Sequence, residues 1–145
     1  MSKGFTLVEV LIVIAVMAIL YSITAASVSG MQNEARISRV KGDLKTLELA
    51  MDGYLKNHGV CPIRENYQAA LLDTVPRILD GNLFDPFGAA VNTLYDCIVS
   101  GNQQYYVIYS VGLERNGNAG VSDNGNISTE GTAIYETNGC LDLTK

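Results

Sequence analysis

The residues near the start of the chain that could take part in chemistry are Gly4, Phe5 and Glu9. Residues 1–4 form a short basic leader that ends in glycine, and an apolar segment follows directly. Glu9 is the only charged residue between Phe5 and Asn33. A carboxylate in such surroundings is costly unless it is paired, so Glu9 needs a positively charged partner. The arrangement is typical of a segment that is cleaved in front of its apolar part, which the mature chain would then keep.

The apolar segment over residues 5–28 is long enough for a membrane helix, since a bilayer core takes roughly 20 helical residues. Two other interpretations stay open. A secretory signal peptide could be cleaved after Thr24-Ala25-Ala26, which would leave a soluble domain that starts at Ser27. An uncleaved anchor is also possible if Glu9, about one helical turn from Phe5, lies near the membrane interface.

The combination of Gly4, Phe5, Thr6, Leu7 and Glu9 before an apolar run resembles the N-terminal signal of type IV pilins and type II secretion pseudopilins. This resemblance implies cleavage after Gly4 by a prepilin peptidase and N-methylation of the new terminal Phe5. It also implies that Glu9 pairs with the N-terminal amine of a neighbouring subunit. Such a pair would fix the register between apolar helices, because removal of either partner leaves a costly unpaired charge.

The sequence predicts one long helix from about Phe5 to Asn57 that ends near Gly59. No proline lies between Phe5 and Val60, so that the late proline of many family members is missing. Apolar residues at steps of three and four predict a buried stripe on the second half of this helix. They are Ile37, Val40, Leu44, Leu47, Met51, Tyr54 and Leu55. A short second helix is predicted within residues 66–75.

Strands are predicted over residues 93–99, 104–111 and 132–136, with a hairpin turn at Ser100-Gly101-Asn102. Residues 83–88 read as a turn that buries Phe84 and Phe87. The expected fold is α+β and pilin-like, with a long N-terminal helix, transmembrane in its first half, packed on a small antiparallel sheet with a C-terminal loop region. The turn Asp85-Pro86-Phe87-Gly88 and the step Ser110-Val111-Gly112 resemble the major pseudopilin of type II secretion, although a threonine- and glutamate-containing loop of that family is missing.

The segment 112–131 is rich in glycine and asparagine and is predicted as a long loop. The resemblance implies that the loop binds calcium, which takes oxygen ligands from carboxylates, amides and carbonyls. Asp123 is the best ligand candidate. Weaker candidates are Ser110, Glu114, Asn116, Asn118 and Asn126. A plain surface loop is the alternative, because glycine and asparagine are also turn residues.

The three cysteines are Cys61, Cys97 and Cys140. Their spacing is too wide for a zinc motif of the CxxC type. A Cys97–Cys140 disulfide is favoured, because it would staple the C-terminal region to the sheet and because related pilins often have one there. Three buried, unpaired thiols are the alternative.

Other classes of function find little support. The net charge of −5 argues against nucleic-acid binding, which needs a basic face. His58, the only histidine, falls at a predicted helix end, and the common hydrolase, metalloprotease and phosphate-loop motifs are missing. The sequence therefore predicts a protein that is not an enzyme.

The predicted organisation is a leader (1–4), a transmembrane and filament-core helix (5–28) and a periplasmic or extracellular head (29–145). The resemblance implies a self-polymerising subunit of a type II secretion filament. Its expected partners are prepilin peptidase, an inner-membrane assembly platform, minor pilin-like subunits and lipid. Alternatives are a type IV pilin for adhesion, motility or DNA uptake, and an anchored extracytoplasmic binding domain that does not polymerise. The leader motif favours a single-pass bacterial inner-membrane protein with a cytoplasmic N-terminus, although Arg36, Arg39, Lys41 and Lys45 act against the positive-inside preference.

Overall fold

The computed structural model describes residues 6–141, and their side chains except those of 24–29, 140 and 141. By internal contacts the chain divides into two units, Met1–Ala35 and Arg36–Lys145. The described residues contain two α-helices and six strands. These are α1 (Leu7–His58), α2 (Tyr67–Leu72), β1 (Asp96–Val99), β2 (Tyr106–Ser110), β3 (Asn118–Val121), β4 (Asn126–Glu130), β5 (Ile134–Thr137) and β6 (Cys140–Leu141).

The first unit is helical from Leu7 onward, and Thr6 caps the helix. The hydroxyl oxygen of Thr6 accepts a hydrogen bond from the backbone N–H of Glu9 at 3.3 Å. A threonine with a glutamate three residues later is the capping-box pattern, which satisfies otherwise unpaired N–H groups of the first turn. The sequence therefore encodes the start of α1, two residues after the predicted position.

Within residues 6–141, no helix combines the length and the hydropathy that a membrane crossing requires. The predicted membrane segment, 5–28, includes Phe5 and the side chains of 24–28, which lie outside the described residues. This segment stays a prediction.

The last turn of α1 ends at a glycine, as the sequence predicts. Gly59 has a φ of +74°, and its N–H donates to the carbonyl of Leu55 at 2.7 Å. A left-handed residue after the last helical turn closes a helix in this way, and glycine adopts it without steric cost. The predicted second helix is shorter than expected, because a 3-10 turn at Arg64–Asn66 precedes α2 and the helix ends at Leu72.

The first sheet has the order β1-β2-β5 and is antiparallel throughout. Cys97 pairs with Ile108, and Ile108 pairs in turn with Glu136. The three predicted strands correspond to these three elements, and the observed strands are shorter at most of their ends.

The prediction of a long loop over 112–131 is wrong, since the segment contains β3 and β4. These two strands form an antiparallel pair, and β6 adds to β4 in parallel to give a second sheet with the order β3-β4-β6. The composition concealed the strands because their residues are small or polar. Their only buried apolar side chains among the described residues are Ala119 and Ile127.

The central strand β2 is buried on both faces. Tyr106 and Ile108 belong to a core cluster that includes the predicted stripe of α1, of which Val40, Leu44, Leu47 and Met51 are at most 1% exposed. Val107 and Tyr109 form a second cluster with Ala119 and Ile127. Of the two aromatics of the turn, Phe87 is buried, whereas Phe84 is only half-buried and makes a β-bridge with Leu94.

Candidate functional site

Glu9 lies in the first turn of α1 and is exposed. A carboxylate there is favoured by the positive end of the helix dipole. Large apolar side chains surround it on both sides along the helix, and an exposed carboxylate among them is available to a positive group of another molecule. Gly4 and Phe5, the predicted sites of cleavage and methylation, lie outside the described residues.

The helix that follows Glu9 presents an extensive apolar surface. Thirteen large hydrophobic side chains between Leu7 and Ile23 are each 48% to 79% exposed. Monomeric soluble proteins rarely expose so large a contiguous apolar patch, and such patches mark contacts with other proteins or with membranes. This part of the chain therefore needs an apolar environment that other molecules supply.

In the second unit, two tyrosine–aspartate pairs join α1 to the strands. The hydroxyl of Tyr95 donates to Asp43 at 2.9 Å, and that of Tyr106 donates to Asp52 at 2.7 Å. Burial raises the pKa of both tyrosines, and the adjacent carboxylates raise it further. Both hydroxyls therefore stay protonated donors well above neutral pH.

Ser110, a predicted metal ligand, is the last residue of β2 and bonds to the turn over residues 85–88 instead. Its hydroxyl donates to Oδ1 of Asp85 at 2.8 Å, and its side chain is fully buried. Asp85 also accepts from the backbone N–H of Phe87 at 2.9 Å and of Val111 at 3.1 Å. These bonds join the turn over residues 85–88 to the end of β2. The carboxylate of Asp85 thus links the two motifs that resemble the family, the turn at 85–88 and the step at 110–112.

Asp123, the best metal candidate, lies in the turn between β3 and β4. Its Oδ1 accepts from the backbone N–H of Asn102 at 3.0 Å, and its carbonyl accepts from the side-chain amide of Asn102 at 2.8 Å. Asn102 is in the turn between β1 and β2. The residue therefore joins the tips of two hairpins, and we call this pair the Asn102–Asp123 contact.

The remaining candidates lie at other places, Glu114 and Asn116 before β3 and Asn118 and Asn126 within the second sheet. Oδ1 of Asn116 accepts from both the N–H and the hydroxyl of Thr132, at 3.0 and 2.9 Å, and the Asn116 amide donates to Glu114 at 3.1 Å. Oδ1 of Asn118 lies 3.1 Å from the hydroxyl of Tyr109. Asn126 opens β4, and its N–H donates to the hydroxyl of Ser122 at 3.1 Å.

The structure does not bring the six candidate ligands together. Among the described residues, no group of three or more histidine, cysteine, aspartate or glutamate side chains is arranged to hold a metal ion. Most of the candidate oxygens instead accept hydrogen bonds from donors of the chain itself.

Cys97, one partner of the predicted disulfide, is a buried free thiol. Cys97 lies in the core cluster against α1, whereas Cys140 belongs to β6 of the second sheet. The side chain of Cys140 lies outside the described residues. Cys61 is a second buried free thiol, and burial together with the charge of Asp52 raises its pKa to about 11.

Comparisons with known proteins agree with the N-terminal features. Residues 1–24 match the family described as the prokaryotic N-terminal methylation motif. The Type II secretion system core protein G of Pseudomonas aeruginosa is 28% identical over 133 residues, which cover 84% of this chain and 89% of that protein. The chain is thus similar to a core protein of type II secretion over most of its length, and its first 24 residues carry the methylation motif.

Two further pseudopilins of the same printed name are similar to part of the chain. Those of Klebsiella michiganensis and Klebsiella pneumoniae are 34% and 33% identical over 70 residues, which cover 48% of this chain and 49% and 50% of those proteins. No solved structure matches this chain significantly. The α+β architecture of the second unit, with part of a long helix against an antiparallel sheet, agrees with the pilin-like fold that the sequence predicts.

Sequence reasoning missed the residues that hold the head together. Asp85, Asn102, Thr132 and Asn138 each pair with a distant part of the chain; Asn138, for example, accepts from the N–H of Tyr106 at 2.9 Å. Asp85 and Asn102 had a local signal, since both fall in turns that the sequence predicts. Their partners, and the roles of Thr132 and Asn138, depend on strand register, which the sequence does not display.

Proposed function

We propose that this chain is a structural subunit of a type II secretion pseudopilus, rather than an enzyme. The single observation that carries the proposal is Glu9, a lone carboxylate in the first turn of an apolar helix whose surface is exposed. The match to the N-terminal methylation motif supports it, and so does the similarity to a core protein of type II secretion.

Processing would prepare the chain for assembly. Prepilin peptidase hydrolyses the peptide bond between Gly4 and Phe5, so that Gly4 leaves as a carboxylate and Phe5 gains a free amine. A sulfonium methyl donor would then methylate that amine: the new N–C bond replaces the S–C bond of the donor, which leaves as a thioether, and the nitrogen loses one proton and stays basic. The mature chain thus begins with a positive charge four residues before a negative one.

Assembly would use this charge pair between neighbouring subunits. The terminal ammonium of one chain and the Glu9 carboxylate of the next neutralise each other, and either charge alone would be costly in an apolar filament core. The exposed apolar side chains between Leu7 and Ile23 would contact lipid before assembly and other subunits afterwards. The charge pair then sets the register, because apolar contact alone is not directional.

In this proposal the precursor is a single-pass protein of the bacterial inner membrane, with residues 1–4 in the cytoplasm and the head in the periplasm. Its partners are other copies of the chain, prepilin peptidase, an inner-membrane assembly platform, minor pilin-like subunits and lipid. The filament would be a short periplasmic one that assists the export of folded proteins.

The experiment compares Glu9→Ala with Glu34→Ala, a change of an exposed acid further along α1. We expect Glu9→Ala to fractionate with membranes but to form no filaments in electron micrographs of overexpressing cells, and Glu34→Ala to assemble like the unaltered chain. Normal filaments from Glu9→Ala would overturn the assembly role of Glu9. Loss of surface pili with intact protein secretion, on deletion of the gene, would favour a type IV pilin instead.

Mass spectrometry of the N-terminus tests the processing step separately. A chain that starts at Phe5 with one added methyl group is the expected product. A start at Ser27 would indicate a secretory signal peptide, and an unprocessed start would indicate a simple anchor. Either of those two results would contradict the proposal.

A further inference from the structure

We infer that the segment 112–131 of this chain is held by hydrogen bonds between its own residues in place of a bound calcium ion, so that the stability of the head does not depend on calcium. The inference concerns the head alone and goes beyond the proposed assembly through α1. It starts from the disagreement between the predicted ligand set and the positions of those residues.

Distance separates the acidic candidates. Glu114 precedes β3 and Asp123 follows it, and the strand between them has four residues, Asn118–Val121. Strand residues advance ~3.3 Å each, so β3 is about 10 Å long. The two acids also contact opposite ends of β2, since Asp123 accepts from Asn102, whereas Glu114 accepts from Asn116, which is bonded to Thr132 beside Val111. Oxygen ligands of one calcium ion lie ~2.3–2.6 Å from it and so within about 5 Å of one another. One ion cannot use both carboxylates.

Existing hydrogen bonds occupy the oxygen atoms of two further candidate ligands. Ser110 is fully buried and donates to Asp85, so its oxygen would have to leave that turn to reach an ion. Oδ1 of Asn116 already accepts two hydrogen bonds from Thr132, which uses both lone pairs of an amide oxygen. Binding an ion at either position would therefore break existing bonds.

Hydrogen bonds hold the turns of this segment in place, as a bound ion would. The Asn102–Asp123 contact fixes the turn between β3 and β4 to the turn between β1 and β2 through two bonds. The Asn116–Thr132 pair fixes the start of the segment to its end. Gly131, with a φ of +64°, allows this closure, because a Cβ atom there would lie 2.4 Å from the carbonyl oxygen of Asn116.

The C-terminal region is fixed in a similar way. The side chain of Asn138 accepts from the N–H of Tyr106 and donates to the carbonyl of Gln104, both at 2.9 Å. The hydroxyl of Thr137 donates to the carbonyl of Tyr106 and accepts from the N–H of Gly139 at 2.9 Å. Both side chains fasten the strand after the segment to β2 without a charged ligand.

The test uses the full chain purified in detergent, with thermal unfolding followed by circular dichroism in EDTA and in millimolar CaCl2. We expect the two midpoints to agree. Terbium serves as a second probe, since its emission is sensitised by nearby tyrosines and the chain has eight of them. We expect no saturable emission that calcium displaces.

Three variants make the result decisive. Asp123→Ala removes the acceptor for Asn102 and should lower the midpoint equally in EDTA and in calcium. Asp123→Asn keeps an acceptor oxygen and should melt close to the unaltered chain in both, while Asp80→Ala, a change of an exposed acid outside the segment, should have no effect. A calcium-dependent rise of the midpoint in the unaltered chain that both Asp123 variants abolish would overturn the inference. Filament assembly plays no part in these measurements, so they test the inference independently of the proposed function.

Discussion

The hydroxyl of Tyr106 donates to Oδ1 of Asp52 at 2.7 Å and so joins the central strand β2 to α1. Tyr106 is fully buried, and its hydroxyl also lies 3.3 Å from the carbonyl oxygen of Glu48. A hydrogen bond to a charged group in such a setting is among the stronger polar contributions to stability.

We expect Tyr106→Phe to destabilise the second unit by about 2 kcal/mol, the usual contribution of a hydrogen bond to a charged acceptor. The ring stays in place, so packing is preserved. Chemical denaturation of the full chain in detergent measures the change. A double-mutant cycle with Asp52→Asn supplies the control: if the two changes simply add, the residues do not interact and the role of the pair is refuted.

The free energy of unfolding should decrease at alkaline pH. Burial raises the pKa of Tyr67, Tyr95 and Tyr106 above the ordinary 10.0, and that of Cys97 above 9.0. The folded chain therefore keeps protons that the unfolded chain releases. The stability from these groups is fully present well below their unfolded pKa values and is lost as the pH rises from those values towards the folded ones.

Denaturation series between pH 8 and pH 11 measure this decline. Each such group adds up to ~1.4 kcal/mol per pH unit to the slope. Tyr106→Phe should therefore show a shallower slope above pH 10 than the unaltered chain. Parallel slopes would show that Tyr106 does not keep its proton on folding.

Asp85→Ala should be among the most destabilising changes in the head, by about 3 kcal/mol. It removes an acceptor of three hydrogen bonds and leaves the N–H groups of Phe87 and Val111 without that partner. Ser110→Ala removes one of the three bonds and should cost about 2 kcal/mol, because the acceptor is charged. Thermal or urea unfolding ranks the two variants. Equal effects would mean that the backbone bonds to Asp85 contribute little.

Gly112→Ala and Gly42→Ala should change stability in opposite directions. Gly112 has a φ of +73°, and a Cβ atom there would lie 2.0 Å from the carbonyl oxygen of Thr132, so alanine should cost at least ~2 kcal/mol. Gly42 lies in α1 with no atom within 4 Å of such a Cβ, and alanine there should stabilise the helix by ~0.5–1 kcal/mol. Unfolding midpoints measure both, and a stable Gly112→Ala variant would contradict the proposed close contact.

Periodicity explains which elements the sequence reveals. Val40, Leu44, Leu47 and Met51 follow the helical repeat because one face of α1 meets the sheet, and their burial was predictable. The strand β2 was evident from its β-branched and aromatic residues. In contrast, β3 and β4 bury only Ala119 and Ile127, so their alternation carries almost no hydrophobic signal.

Some residues of the candidate site were likewise evident from the sequence, and others were not. Glu9 was evident because a lone charge in an apolar run is conspicuous at the level of sequence. The acceptors of Asp123 and Asn116 were recognised as polar groups, but their partners Asn102 and Thr132 are 21 and 16 residues away. Which donor meets which acceptor depends on strand register and turn geometry, and a count of oxygen-bearing residues cannot separate a metal site from a hydrogen-bonded one.

The buried thiol of Cys97 has a consequence for how motions of the head can be timed. The thiol is 1% exposed, and burial raises its pKa, so an alkylating reagent can reach its reactive form only after the core around it opens. The alkylation rate of Cys97, followed by peptide mapping at saturating reagent, therefore equals the rate at which this part of the core opens. In subunits packed in a filament, the alkylation rate of Cys97 would show whether polymerisation slows the local opening of each head.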